Sequence, residues 1–451
     1  MDKDKYFRFI RFFSFFVVII LATISMFVES DNLILEQIGL VVLIVNLFLI
    51  YKWSPVSLIT GLPYFVALIP MMFGVFYAET GVYFFEIDQY TYKNGSFIKC
   101  LLLFFIFNEF LLLPVKEGRI YAPVKINHKV IEVIMLSCVF VLFLYFFKSG
   151  VPLIKGIHRS EYFSTIVPYY INFIKGRLSF FCLVWGMFYV MYRRKRYVVY
   201  FSVVVLYYIL CSIKGGELIV LFYMFSLPIV LSIKKIDLPA YNVKLKRWIV
   251  GGASFFVILI LFHYSSVENY NKDTSDTEKL YTRVVAAGQI WWYISDPQKI
   301  ENKTRVKEFF YNFHGDDDYK KGMNQLMNEV VPAKYLRQWR SNDNNRGRSL
   351  ANGFPAIGYY YFGYAGALFI TVVIGYMVFV SKKLVLSFSK SGDIVSFLFL
   401  GAIIEILIRV VAQGDIYLLV EARACFIWLL FSLYLLIKFA FNYQNKYRLG
   451  I

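Results

Sequence analysis

Apolar and polar stretches alternate along this chain with a spacing set by a bilayer rather than by a globular core. Apolar runs recur at roughly 10–28, 33–51, 57–77, 97–115, 130–147, 169–192, 197–213, 216–232, 248–264, 357–380, 394–412 and 420–438. A helix crossing a hydrocarbon core of about 30 Å needs about 20 apolar residues, and these runs are of that order. A transmembrane β-barrel would instead show alternating segments of about 10 residues. The pattern predicts an all-α polytopic membrane protein with about 12 transmembrane helices.

One long polar interval interrupts the series, from about Ser265 to Gly358. The expected organisation is one integral membrane domain: helices one to nine over 1–264, a large loop over 265–356, then helices ten to twelve and a tail over 357–451. The loop carries short helices of its own. Ser275-Asp276 caps a predicted helix near Thr277–Ser295, whose apolar positions Leu280, Val284, Ala287, Ile290, Trp291 and Ile294 recur at helical spacing before Asp296-Pro297 stops it. A second short helix is expected near Tyr319–Val331, ending at Pro332.

Composition removes the soluble alternatives. Of 451 residues, 59% are hydrophobic, only 17% are charged and the mean hydropathy is +0.58. The net charge of +18 does not require nucleic acid. Much of the excess lies in short loops, as in Lys116, Arg119, Lys125 and Lys129, or Arg193-Arg-Lys-Arg196, or Lys234, Lys235, Lys244, Lys246 and Arg247. The intervening loops are poorer in cations, although Lys148–Pro168 carries Lys148, Lys155 and Arg159. That bias places both termini in the cytoplasm and the 265–356 loop outside. The basic start, Lys3 to Arg11, precedes Phe12–Val28 with no small-residue cleavage site, so it reads as an uncleaved first helix. The five cysteines fall in apolar segments without metal-ligand spacing and read as packing residues.

Charge inside a span is costly, about 2.5–3.5 kcal/mol at the centre on insertion scales, so each such residue is a candidate for chemistry. Lys175 and Arg177 lie in span six, Lys214 and Glu217 at the turn between spans seven and eight, Glu405 and Arg409 one turn apart in span eleven, and Arg423 at the start of span twelve. Most of this charge falls in the outer half, on the side of the large loop; Glu109, in the inner part of span four, is the exception. A structural alternative has Glu405 and Arg409 neutralise each other while Lys175 snorkels. The functional alternative is a cationic cavity for a diphosphate, which arginine forks grip bidentately without losing charge.

The loop's last third adds Arg337, Arg340, Arg346 and Arg348, either as an outer wall of that cavity or as a patch attracted to anionic lipid. Trp291, Trp292 and Trp339 offer flat faces for stacking sugar rings, or anchors at the membrane interface. His314, like His158 and His263, lies on the outer side as a general-base candidate, alongside Glu217 and Glu405. Asp316-Asp-Asp318 is similar to the metal-holding motif of nucleotide-sugar transferases but reads better as a polar helix start. The sequence shows no metal site, no P-loop, no dinucleotide fingerprint and no zinc-protease or nucleophile-elbow motif, and calls for no cofactor.

The re-entry passage Ser349-Leu-Ala-Asn-Gly-Phe-Pro-Ala-Ile-Gly-Tyr-Tyr-Tyr-Phe-Gly363-Tyr-Ala-Gly366, with the span count, the large loop and the many Phe and Tyr, resembles the Wzy-type O-antigen polymerase family. The resemblance implies glycosyl transfer at the periplasmic face of a bacterial inner membrane. Its substrates would be undecaprenyl-diphosphate-linked oligosaccharide repeat units, joined en bloc, with arginines stabilising the departing diphosphate and a carboxylate or histidine taking the hydroxyl proton. It also implies membrane lipid, a chain-length regulator and the flippase of the same pathway as partners, and no nucleic acid. An O-antigen ligase, which uses lipid A-core as acceptor, and a lipid-linked oligosaccharide flippase are the competing readings.

Overall fold

The computed structural model describes residues 3–27, 34–84, 87–115, 127–157, 161–212, 215–233, 247, 251, 286–296, 305–313, 321–341 and 353–448. These residues are overwhelmingly helical. In chain order the helices are α1 (Lys3–Phe27), α2 (Ile34–Trp53), α3 (Pro55–Thr60), α4 (Leu62–Ala78), α5 (Ser96–Leu112), α6 (His128–Ser149), α7 (Pro152–Lys155), α8 (Tyr169–Lys175), α9 (Leu178–Tyr192), α10 (Arg196–Leu210) and α11 (Gly215–Leu231). The large loop holds α12 (Gln289–Ile294), α13 (Val306–Phe313), α14 (Gly322–Val330) and α15 (Ala333–Ser341). The chain then continues through α16 (Ala356–Ser391), α17 (Ile394–Gln413) and α18 (Ala422–Arg448). A small antiparallel hairpin, β1 (Tyr83–Phe84) and β2 (Gln89–Tyr90), precedes α5 and pairs Tyr83 with Tyr90.

Among the described residues, six helical stretches are long and apolar enough to cross a membrane: Ile34–Trp53, His128–Lys155, Tyr169–Tyr192, Ala356–Ser391, Ile394–Gln413 and Ile416–Ala440. Shorter apolar helices cover Phe9–Ser25, Leu62–Ala78, Arg196–Leu210 and Gly215–Leu231. Helix overlaps every expected span, although of 248–264 only position 251 is described. The expected third span is divided at Gly61 into α3 and α4, and the sixth at Gly176 into α8 and α9. The loop differs more. Most of its first expected helix, 277–285, lies outside the described residues, and position 286 and Gln289–Ile294 are helical on either side of a turn. The second, expected near Tyr319–Val331, is α14, whereas α13 and α15 form where none was expected.

The chain divides into two compact units, each assembled from separated segments. The first comprises Met1–Leu113, Leu261–Phe379 and Ile406–Glu421; the second comprises Pro114–Ile260, Val380–Glu405 and Ala422–Ile451.

In the first unit, α5 packs against α1, α2 and α4. Gly39 of α2 lets the helices close up, because a Cβ there would meet the Ile98, Phe97 and Leu101 side chains. The N-terminus of α5 is capped from a distance. The Glu79 carboxylate accepts from the Asn94 and Phe97 N–H groups at 2.8 and 3.1 Å and from the Ser96 hydroxyl at 2.7 Å. Negative charge is favoured there by the orphan N–H groups and the helix dipole.

The loop helix α12 sits on α4 and α5. Gly288 approaches α4 so closely that a Cβ would lie 2.1 Å from the Gly74 carbonyl carbon. Trp291 and Trp292 are fully buried. Their indole N–H groups donate to the Phe354 carbonyl at 3.1 Å and the Tyr92 carbonyl at 2.7 Å, which settles the polar cost of burying an indole. Asn94 Nδ2 donates back to the Trp292 carbonyl at 2.7 Å, and Tyr92 donates to Asp296.

In the second unit, α9 and α11 make the most intimate helix pair. Gly186 faces Phe225, whose carbonyl oxygen would stand 2.3 Å from an added Cβ, and Phe201 stacks on Phe225 with ring centroids 4.5 Å apart. Polar ties join the other helix ends. Arg196 donates to Glu132 at 2.7 Å and Tyr200 to the same carboxylate at 3.1 Å. Asp393 caps α17 by accepting from Ser396 N–H at 3.1 Å and from its hydroxyl at 2.7 Å, and pairs with Lys438.

Candidate functional site

The charged residues of span six converge on a break in that span. α8 ends at Lys175, Gly176 and Arg177 form the joint, and α9 begins at Leu178. The joint is tight rather than unwound, because Gly176 N–H reaches the Asn172 carbonyl at 3.0 Å and Arg177 N–H the Ile174 carbonyl at 2.9 Å. A cation at the end of α8 also faces the negative pole of that helix, a favourable position.

From this joint Lys175 reaches Glu217 in the first turn of α11, with Nζ 2.9 Å from Oε2. The ammonium lies over the rings of Phe163 at 4.9 Å and Tyr208 at 5.6 Å. Lys175 is 20% exposed and Glu217 43%, so the pair is open to solvent on the glutamate side. Arg177 turns to another face, its guanidinium carbon 4.6 Å from the Phe173 ring centre and 5.4 Å from that of Phe180. In the first turn of α9, the Ser179 hydroxyl donates to Glu405 Oε2 at 3.2 Å.

The preceding loop supplies the cover. Tyr162–Ile166 forms one π-helical turn, held by the Ser149–Tyr162 hydroxyl contact at 2.7 Å, by Tyr145 donating to the Ile166 carbonyl at 2.8 Å and by Asn172 donating to the Phe163 carbonyl at 2.7 Å. These bonds set Phe163 against Lys175. In the second unit, therefore, Lys175 and Glu217 are brought together, Arg177 is adjacent in sequence, and Glu405 is tied to the same helix through Ser179.

Other expected residues are placed differently. Arg423 is exposed at the start of α18. In the first unit, Arg409 is exposed on α17 and Arg337 on α15. Arg340 and Trp339 also belong to α15, but their side chains lie outside the described residues, as do His314, Lys214, Arg346 and Arg348 altogether. Trp291 and Trp292 offer no open face for a sugar, because both are core residues of the docked α12. Amphipathic spacing alone does not tell a buried tryptophan from one on a surface platform.

Residues that the sequence did not single out form a polar cluster where the loop meets the start of α16. Arg305 pairs with Glu329 of α14, both contact the Tyr360 hydroxyl, and the Arg305 N–H donates to the Tyr361 carbonyl at 2.8 Å. Nearby, Asp415 accepts from Met323 N–H at 3.3 Å and Tyr417 N–H at 3.0 Å; burial raises its carboxyl above the usual range, against the lowering effect of those bonds. The three successive tyrosines, Tyr359 to Tyr361, were the available signal, since buried hydroxyls need partners. Among the described residues, no group of three or more His, Cys, Asp or Glu converges as metal ligands.

A family of unknown function, DUF6418, matches residues 316–428. That interval contains Glu329, Tyr360, Glu405, Arg409 and Asp415. No curated protein and no solved structure matches the chain.

Proposed function

We propose that this protein is a polymerase of lipid-linked oligosaccharides, joining polyprenyl-diphosphate-linked repeat units at the outer face of a bacterial inner membrane. The observation that carries the reading is the contact between Lys175 and Glu217 at a break within a membrane span. A lysine–glutamate pair there holds both groups that the transfer needs. An arriving diphosphate draws Lys175 toward its oxygens, and Arg177 at the same joint adds a second, permanent charge. Glu217, released from its partner, is then free to accept a proton.

The acceptor sugar's hydroxyl oxygen attacks the donor's anomeric carbon. The bond from that carbon to the diphosphate oxygen breaks with its electron pair, and the hydroxyl proton passes to Glu217. Negative charge grows on the leaving diphosphate, where fixed cations act most strongly. Glu405, oriented by Ser179, is the second carboxylate within reach of α9. The reading includes the twelve-span topology with both termini in the cytoplasm.

Purified protein mixed with lipid-linked repeat units alone tests this directly. A ladder of lipid-linked oligomers with release of undecaprenyl diphosphate, without nucleotide sugar or ATP, is the expected result. Preparations that make product only after lipid A-core is added would replace polymerase by ligase.

A further inference from the structure

A second feature of the first unit lies outside the site just described. The hairpin β1–β2 is fixed from beneath by Phe84 and Ile87, each 2% exposed. Above them its cross-strand pair, Tyr83 and Tyr90, is 43% and 73% exposed, with ring centres 5.0 Å apart and planes at 54°. Asp88, in the left-handed region at φ 56°, turns its carboxylate back onto Tyr83. One oxygen accepts from the Tyr83 hydroxyl and the other from Lys334 of α15. The Lys334 ammonium also lies 4.7 Å from the centre of the Tyr335 ring.

Two exposed rings, a third aromatic and an ion pair thus converge from two elements far apart in sequence. Stability does not explain the arrangement, because exposed ion pairs contribute about 0–1 kcal/mol. The two inward residues already seat the hairpin, and exposing a ring such as Tyr90 forgoes the gain of burying it. The chemistry suits one ligand class. Pyranose rings present faces of C–H groups that pack on aromatic planes, and vicinal hydroxyls pair with a carboxylate and an ammonium held side by side. Hydrogen bonds from Lys334 and Tyr83 lower the Asp88 carboxyl below its ordinary value, and at neutral pH it is an ionised acceptor.

We infer that Tyr83, Tyr90, Asp88 and Lys334 form a binding subsite for a glycan chain, separate from Lys175 and Glu217. The inference rests on the polymerase reading for the choice of glycan, and it gives the subsite the task of retaining the growing chain between transfers.

The probe is the lipid-free oligosaccharide released by mild acid from the producing cell's own lipid-linked glycan. Saturation-transfer NMR is run with the full-length protein in nanodiscs. The wild type is expected to bind. Tyr90→Ala and Lys334→Met are expected to weaken binding by about tenfold or more, with unchanged elution on gel filtration, and to shorten the product ladder. Tyr90→Phe should bind as the wild type does. The subsite is refuted if the wild type does not bind the oligosaccharide, or if Tyr90→Ala binds as well as the wild type. A fluorophore on Gln89→Cys that is quenched by brominated phosphatidylglycerol would refute it too, by assigning the tyrosines to the bilayer interface. A wild type that binds the oligosaccharide but makes no ladder would overturn the polymerase reading and leave the subsite standing.

Discussion

Lys175 Nζ lies 2.9 Å from Glu217 Oε2, joining two helices whose residues are 42 apart in sequence. Neither group is needed to neutralise the other in water, and together inside a membrane they are worth little more than their desolvation costs. A pair of this kind is informative when its members are changed separately. Lys175→Ala and Glu217→Gln are each expected to lower transfer activity, Glu217→Gln by about 10²–10⁴-fold if it takes the proton, at unchanged membrane abundance. The exchanged pair, Lys175→Glu with Glu217→Lys, restores the ion pair but not the activity. Recovery of activity by the exchange would make the contact purely structural.

The docking of the large loop depends on an approach that admits no side chain. Gly288→Ala forces a Cβ to within 2.1 Å of the Gly74 backbone, so α12 must lift from α4. Trp292→Ala empties a fully buried indole site and is expected to cost about 3–5 kcal/mol. Both variants should show lower melting temperatures in detergent, read by the fluorescence of a thiol dye at the buried native cysteines. A Trp292→Ala protein as stable as the wild type, yet impaired in glycan binding, would return Trp292 to a sugar-stacking role.

The all-α, membrane-spanning character was legible because a bilayer sets the length of apolar runs, and six described helical stretches are long and apolar enough to cross one. In the loop, the helix expected near Tyr319–Val331 stands as α14, but α13 and α15 were not legible, for physical reasons that particular residues show. α13 and α15 are short, and each is ordered by tertiary contacts: the Arg305 N–H on Tyr361, and Lys334 on Asp88. Residues 305, 329 and 360 meet through turns that no local periodicity records. Lys175, Glu217 and Glu405 were identifiable one by one, since charge in a span is rare. Their pairing was not. Helical spacing puts Glu405 one turn from Arg409 but does not show the hydrogen bond that Glu405 accepts from Ser179.

Asp393 contributes a pH dependence to the stability of the second unit. Burial raises its carboxyl, but the ion pair with Lys438 and the two bonds from Ser396 outweigh burial and hold it below the ordinary 3.8. A carboxyl depressed in the folded state contributes stability above its unfolded value and loses it as pH falls through the folded one. The wild type should therefore lose more thermal stability than Asp393→Asn between neutral pH and pH values below 3.8. Lys438→Met, which leaves the buried carboxylate without its partner, should cost about 3–5 kcal/mol at neutral pH. Equal acid sensitivity of wild type and Asp393→Asn would remove Asp393 from this role.

Orientation is testable with exposed positions on two elements. In a variant lacking the native cysteines, Lys307→Cys on α13 is expected to react with an impermeant maleimide in intact spheroplasts. Arg194→Cys, between α9 and α10, should react only after permeabilisation. The opposite pattern would invert the topology, and with it the outer placement of the loop.

A deletion strain separates a polymerase from its rivals in the cell. A polymerase lengthens chains already presented outside, and their attachment to lipid A-core falls to another protein. Deleting this gene should therefore leave core carrying a single repeat unit, with the long lipopolysaccharide ladder gone. Loss of a ligase would leave bare core and polymer accumulating on undecaprenyl diphosphate. Loss of a flippase would also leave bare core, but with single repeats trapped on the cytoplasmic face. Complementation joins this phenotype to the site. Arg177→Lys keeps a charge over Phe173 but not the fork that grips two phosphate oxygens, so it should restore shorter ladders than the wild type does. Lys175→Ala should leave the single-repeat band alone. Bare core in the deletion strain, whatever the variants do, would end the polymerase reading.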